Sequence, residues 1–152
     1  MATRSNIAYK TAEGKIRSIY CHYDGYPAGV GRTLQEHYQQ ARKIGMLIEL
    51  GSLSVLGAEL GEKQDFDDRS TQKDEWTLAY NRDRGEELHV SEYADIPSWI
   101  DDMEEYAYLW NGREWLVNDH GEMDEHGRFP IFDLLDTVVE REVARLKAAG
   151  YL

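Results

Sequence analysis

The sequence predicts an α+β fold, a mainly antiparallel sheet of about five strands with helices packed on one face. Two hairpin patterns, within 5–23 and 106–118, supply four strands, and alternating apolar residues over 76–81 predict a fifth. Helical spacing recurs between and after these strands, and such a mixed order is typical of α+β domains. A chain of 152 residues also has the usual size of one domain, so residues 1–152 are predicted to form a single domain.

The composition is that of a folded domain with an acidic surface. Hydrophobic residues make up 41% and aromatic residues 11% of the chain, enough to build a core. Twenty-nine acidic residues against 17 Lys and Arg give a formal net charge of −12. This charge repels phosphate backbones and anionic lipid, so direct binding to nucleic acid or to a membrane is not expected. It favours basic protein surfaces or cations, or serves solubility alone.

Several sequence features predict a cytoplasmic location. Cys21 is the one cysteine, so no intramolecular disulfide is possible. The first residues lack the apolar core of a signal peptide, and no apolar run reaches membrane-spanning length. The glycine motifs of P-loop and dinucleotide-binding folds are missing from the sequence, and no cofactor is predicted.

The first half of the chain begins with a predicted hairpin, 5–10 and 15–23, whose turn glycine is Gly14. Apolar residues on both faces of its second strand predict that this strand is central. Residues 24–31 hold three glycines and a proline, and no regular structure is expected there. Helical spacing over 32–48 predicts either two short helices or one kinked helix.

In the second half, a highly charged segment, 64–75, is predicted to be a mobile loop. The predicted fifth strand is followed by a turn at 82–86. A short helix is expected over 96–103 with Asp95 as its N-cap, and the second hairpin turns around Asn111-Gly112. A last helix spans 132–149, with acidic residues in its first turns and basic residues in its last, as the helix dipole favours.

Three strings of this sequence carry a resemblance to a known family. They are Ser5-Asn6-Ile7, the run RSIYCHYDGYP over 17–27 and the run AYNRDRGE over 79–86. Together they form an SNI…IYCHxDGYP…YxRDRGE signature that resembles a family of small proteins of tailed phages and prophages, and further similarity extends over most of the chain. The resemblance implies a phage setting, in which small proteins outside the virion commonly act against host defence or host enzymes. It transfers no catalytic residue.

The first candidate site comprises His22, Asp24, Tyr26 and Arg32, at the end of the second strand and in the glycine-rich segment. Rigid strands commonly present functional loops. The glycines would let backbone amides approach a ligand anion, and the start of the next helix with Arg32 would add positive potential. In the alternative interpretation, Asp24 caps a turn, Tyr26 packs against the fold and His22 is a half-buried structural histidine.

The second candidate site comprises Arg82, Asp83, Arg84 and Glu86, directly after an aromatic strand. Two guanidinium groups suit a planar anionic ligand, which they can bind with paired hydrogen bonds. Alternatively, the neighbouring carboxylates neutralise both arginines in a salt-bridged turn. If the first three strands are neighbours, these arginines and His22 converge on one cleft.

Two further patterns are weaker. His120, Asp124 and His126 lie in a loop whose acid and histidine density could hold a divalent cation, but their order matches no established metal motif, and no metal is predicted. Acidic clusters such as 65–68 and 101–105 allow a DNA mimic as a lesser alternative, although arginines interrupt the acids.

The sequence favours a binding protein over an enzyme. Cys21 and His22 are neighbours on a strand and face opposite ways, so they do not form a nucleophile–base pair. We therefore expect a phage-encoded acidic accessory protein that binds a host protein, for counter-defence or host takeover, without turnover. In the alternative, the His/Asp/Arg cleft binds or cleaves a nucleotide-like anion. The sequence predicts neither the target nor the oligomeric state.

Overall fold

The computed structural model describes residues 2–152 and has the predicted α+β architecture. In that range the strands are β1 (Ser5–Lys10), β2 (Ile16–Cys21), β3 (Leu53–Val55), β4 (Leu78–Ala79), β5 (Ser91–Tyr93), β6 (Tyr106–Trp110), β7 (Trp115–Asp119) and β8 (Asp133–Leu134). The helices are α1 (Arg32–His37), α2 (Ala41–Glu49), α3 (Tyr80–Arg84), α4 (Ile96–Ile100) and α5 (Leu135–Ala148).

The strands form one sheet in the order β4-β3-β2-β1-β6-β7-β8, and β5 pairs with β2 outside that path. Most pairings are antiparallel, but β1 is parallel to β6 and β2 is parallel to β3. The sheet is therefore mixed and has eight strands instead of about five, which corrects the prediction. Local turn signals do not report pairings between distant segments, and β3, β5 and β8 have only two or three residues, too few to show an alternation.

The strand β2 is central, as its two apolar faces predict. β1 lies antiparallel on one side, while β5 and β3 share the other side, with β3 paired at Cys21. Ile19 and Cys21 point into one core cluster, and Ile16 points into another on the opposite face. Alternate residues of a strand share a face, so Tyr20 and His22 continue the face of Ile16.

Helices cover both faces of this sheet, which corrects the prediction of helices on one face. α1, α2 and α5 contribute Leu34, Leu47 and Leu135 to the larger core cluster. α4 lies on the opposite face, where Trp99 is fully buried in a cluster with Ala8. Within residues 2–152, none of the helices has the length and apolar character to cross a bilayer.

Two segments are more helical than predicted. Pro27–Gly31 forms a π-helical turn that continues into α1, in a stretch where no regular structure was expected. The predicted turn at 82–86 is largely the helix α3, which ends at Gly85 with a positive φ of 74°.

Between α1 and α2 the buried Tyr38 breaks the helix, and its hydroxyl donates to the Gly57 carbonyl at 2.7 Å. The first of the two alternatives for 32–48, two short helices, is therefore correct.

Cys21 is expected to be unreactive in the folded protein. Its side chain is fully buried, and burial raises the pKa of the thiol to about 12. At pH 8 only about one thiol in 10⁴ would then be ionised, and the thiolate is the reactive form. We expect 5,5′-dithiobis(2-nitrobenzoate) to label Cys21 stoichiometrically in urea and not within an hour in buffer. Complete labelling of native protein within minutes would contradict this assignment of Cys21 to the core.

Candidate functional site

A cleft of about 680 Å³ opens where β2 ends, beside β3 and β4, and we call it the His22 cleft. One wall is His22 itself, from the end of the central strand. The others are Tyr80 and Arg84 from α3, with Phe66 and Arg69 from the charged segment 64–75. His22 and Arg84 therefore line the same cleft, although β3 lies between β2 and β4 and Arg82 is not part of the lining.

His22 is held in place by its strand and by Tyr20. The Tyr20 hydroxyl lies 2.6 Å from His22 Nδ1, on the face that the two residues share. Burial raises the pKa of the Tyr20 phenol, so the hydroxyl is protonated at neutral pH and able to donate. The exposed ring of Tyr23 packs edge-on against His22, with ring centroids 4.5 Å apart.

Arg84 is oriented by aromatic rings and by one carboxylate. Its guanidinium lies 4.3 Å from the centroid of the Phe66 ring and 5.1 Å from that of Tyr80. Arg84 Nε donates to the Glu86 carboxylate at 2.6 Å. Cation–π contacts of this kind fix the plane of a guanidinium while leaving donors on its edge. Arg84 thus combines a fixed plane with partial exposure at the cleft.

The segment 64–75 forms a wall of the cleft because its ends are anchored to buried groups. The Gln64 backbone amide donates to Asp83 Oδ1 at 2.8 Å, and the Lys73 amide donates to Gln64 Oε1 at 2.9 Å. The Asp68 side chain caps the short 3₁₀ turn that carries Arg69, by accepting from the Ser70 amide at 3.1 Å. The segment 64–75 was predicted to be a mobile loop because of its high charge. These hydrogen bonds give its backbone a defined path.

Arg82 and Asp83 lie beneath the cleft and do not line it, although both were candidate ligand residues. Arg82 donates to the carbonyls of Leu60 and Thr77 at 2.8 and 2.6 Å and pairs with Asp83 at 2.9 Å. The Asp83 side chain is fully buried and also accepts from the Ala79 amide at 2.7 Å. Both residues therefore support the wall of the cleft. The salt-bridged alternative holds for Arg82, and it holds for Arg84 too, which pairs with Glu86 at 2.5 Å.

The glycine-rich segment does not form the anion cradle that was predicted. A Cβ on Gly25 would come within 2.8 Å of the Thr3 carbonyl, and one on Gly29 within 2.4 Å of the Asp24 carbonyl. These glycines therefore serve close backbone packing. The Ala28 amide, at the start of the π-helical turn, donates to the Glu142 carboxylate at 3.1 Å. A side chain of the protein thus occupies the place of the expected anion.

The remaining residues of the first candidate site lie at different places on the surface, and only Asp24 borders the cleft. Asp24 borders the His22 cleft and adopts a positive φ of 58°. Tyr26 donates to Asp24 at 3.4 Å but lines a separate groove near the end of α5. Arg32 pairs with Glu36 at 3.0 Å along the surface of α1. Of the eight candidate residues, three line the cleft: His22, Asp24 and Arg84. Glu86 does not line it, but it binds Arg84.

The residues of the His/acid loop, 119–126, make local contacts instead of forming a metal site. Among residues 2–152, His, Cys, Asp and Glu side chains form no group of three or more that would suit a metal ion. Asp124 accepts from the backbone amides of His126 and Arg128 in its own turn, and His120 contacts the neighbouring Asp119.

The His22 cleft gathers two arginines in an acidic protein, and Glu86 pairs with one of them, Arg84. Its lining carries Arg69 and Arg84 and, among the described residues, one carboxylate, that of Asp24. The chain as a whole has a net charge of −12. Sequence reasoning missed Phe66 and Arg69, although a lone aromatic residue in a charged segment was a usable signal. Together these groups can bind a planar ring and an anion side by side.

Comparison with known proteins suggests no function for this chain, so the functional proposal rests on the chemistry of the cleft. No protein-family model, curated protein or solved structure matches the chain.

Proposed function

We propose that the protein binds a nucleotide-like ligand in the His22 cleft, a small molecule that joins a planar ring to an anionic group. The observation that carries this proposal is the presence of Arg69 and Arg84 in one cleft with the rings of Phe66 and Tyr80. Guanidinium groups match the geometry of phosphate oxygens, and aromatic side chains stack on bases. A volume of about 680 Å³ lies within the usual range of small-ligand sites.

Binding without turnover fits the surroundings of the cleft better than catalysis. His22 Nδ1 is engaged by a tyrosine hydroxyl, whereas a catalytic histidine is usually oriented by a carboxylate. Cys21, the strongest nucleophile of the chain by residue type, is fully buried on the other face of β2. The resemblance to phage proteins adds a setting, in which a small binding protein could sequester a host nucleotide.

Calorimetric titration with mononucleotides tests the proposal, after a thermal-shift screen. A ligand at a hundred times its dissociation constant adds about 2.7 kcal/mol of stability, which shifts the unfolding temperature by several degrees. Arg84→Lys keeps the positive charge but loses the planar fork, so we expect about ten-fold weaker binding. Glu86→Gln removes the carboxylate that competes for Arg84, and we expect binding to strengthen a few-fold, by roughly the value of an exposed ion pair.

The matched control is Arg113→Ala, which removes an exposed arginine on the turn between β6 and β7. It lowers the net charge by one, whereas Arg84→Lys leaves the charge unchanged, so an unchanged affinity of Arg113→Ala shows that general electrostatics do not govern binding. The proposal fails if no mononucleotide alters the unfolding temperature, or if Arg84→Lys binds as tightly as the unmodified protein.

A host protein is the second candidate partner, in line with the phage-encoded accessory role expected from the sequence. A groove of about 510 Å³ at the end of α5 supports it, because exposed Tyr26, Tyr151 and Leu152 line that groove. Exposed apolar clusters rimmed by charge commonly mark protein-binding surfaces. Affinity capture from host lysate tests this candidate, with Tyr151→Ser as the variant that should lose the partner. Recovery of the same proteins by both forms would count against it.

A further inference from the structure

A second cavity, of about 500 Å³, adjoins the His22 cleft, and we call it the Glu87 compartment. Tyr80 and Arg84 line both cavities. The hydrogen bond between Tyr20 and His22 also joins them, because Tyr20 lines the second cavity and His22 lines the first. The two cavities are therefore neighbours, with Arg84 and Tyr80 between them.

The two compartments differ in chemistry. Besides the shared Arg84, the His22 cleft holds the cationic Arg69, whereas the Glu87 compartment is lined by Glu86, Glu87 and His89. Carboxylates accept hydrogen bonds from hydroxyl and amino groups and repel phosphate. A neutral, hydroxyl-bearing group thus suits the Glu87 compartment, and a terminal phosphate does not.

Resting on the proposed function, we infer that the ligand is a dinucleotide whose linking phosphate lies at Arg84. One nucleoside occupies the His22 cleft and the other occupies the Glu87 compartment. Arg84 lines both cavities, and its Nε and Nη2 pair with Glu86. A phosphate between two nucleosides would therefore contact its Nη1 or displace Glu86. Tyr80 at the junction and Tyr20 in the Glu87 compartment offer rings to the second base, while Glu87 accepts from its ribose hydroxyls.

Titration of two matched ligand sets tests this inference. The first set is the four nucleoside 5′-monophosphates, and the second is the four dinucleoside monophosphates with the same bases, such as ApA beside AMP. Stacking and hydrogen bonding of a second nucleoside are expected to make the dinucleotide bind at least about ten-fold tighter. In Glu87→Gln and in His89→Ala we expect this preference to fall several-fold, while Arg113→Ala retains it. Both altered side chains are exposed, so the variants are expected to fold.

The outcomes separate this inference from the proposed function. A dinucleotide preference that falls in both variants supports the assignment of one nucleoside to each cavity. Equal affinity for the two sets, or tighter binding of the monophosphates, overturns the dinucleotide assignment and leaves the mononucleotide site in the His22 cleft standing. A preference that is the same in Glu87→Gln, His89→Ala and the unmodified protein also overturns it. If neither set binds, the proposed function fails together with the inference.

Discussion

Replacement of Asp83 by alanine is expected to destabilise the protein by about 3–5 kcal/mol, the usual cost of breaking a buried ion pair. The Asp83 carboxylate is fully buried and accepts from the amides of Gln64 and Ala79 as well as from Arg82. Its loss leaves these donors without a partner and Arg82 with an uncompensated charge. Since single domains are commonly stable by 5–15 kcal/mol, the change would consume much of the total.

Urea unfolding followed by tryptophan fluorescence measures this effect. Asp83→Asn is expected to lose most of the same stability, because its amide NH₂ would face an N–H donor and the charge for Arg82 would be gone. Asp67→Ala is the matched control, an exposed aspartate of the neighbouring segment, and it is expected to change stability by less than about 0.5 kcal/mol. A loss below about 1 kcal/mol for Asp83→Ala would contradict the anchoring role.

The same mutation also tests how the cleft is built. Gln64 begins the segment that carries Phe66 and Arg69, and its amide is held by Asp83 at 2.8 Å. Without this bond the wall of the His22 cleft loses its anchor. Nucleotide binding by Asp83→Ala is therefore expected to weaken even under conditions in which the protein remains folded, although Asp83 does not contact the ligand.

Arg82 and Arg84 show what sequence could and could not tell about the site. Both follow the same strand, and the sequence offers no reason to separate them. They lie two positions apart on α3, and residues so spaced point about 200° apart on a helix. Arg82 therefore turns inward to the carbonyls of Leu60 and Thr77, while Arg84 faces the cleft. Separating the two roles required knowing that 80–84 is a helix, whereas the sequence predicts the end of a strand followed by a turn there.

Local patterns were sufficient for the hairpins and insufficient for the pairing between them. Each of the turns, at Gly14 and at Asn111-Gly112, is determined by a few adjacent residues, so both hairpins could be predicted. The parallel pairing of β1 with β6 depends instead on burial of both sheet faces, which involves most of the chain. The position of Arg69 depends in turn on distant hydrogen bonds to Asp83 and Gln64. Contacts of this kind leave no periodic signal in the sequence.

Trp99→Ala is expected to cost about 3–5 kcal/mol, the usual cost of truncating a buried aromatic side chain. Trp99 is fully buried, and its indole nitrogen donates to Ser18 Oγ at 2.9 Å. α4 has only five residues, too few for a helix that is stable by itself, so its position depends on packing. Trp99 and Ile100 are the buried residues of this helix, and Trp99 is the larger of the two.

Two comparisons separate the packing of Trp99 from its hydrogen bond. Ser18→Ala removes the acceptor and leaves the buried indole N–H unpaired, for which we expect a loss of about 1–3 kcal/mol. Met46→Ala truncates an exposed apolar side chain and is expected to be nearly neutral. If packing of Trp99 holds α4 on the sheet, Trp99→Ala also speeds hydrogen exchange in α4 and in its neighbour β5, because both then open together. Unchanged exchange there, or a loss no larger than that of Ser18→Ala, would show that the second face of the sheet is held by other contacts.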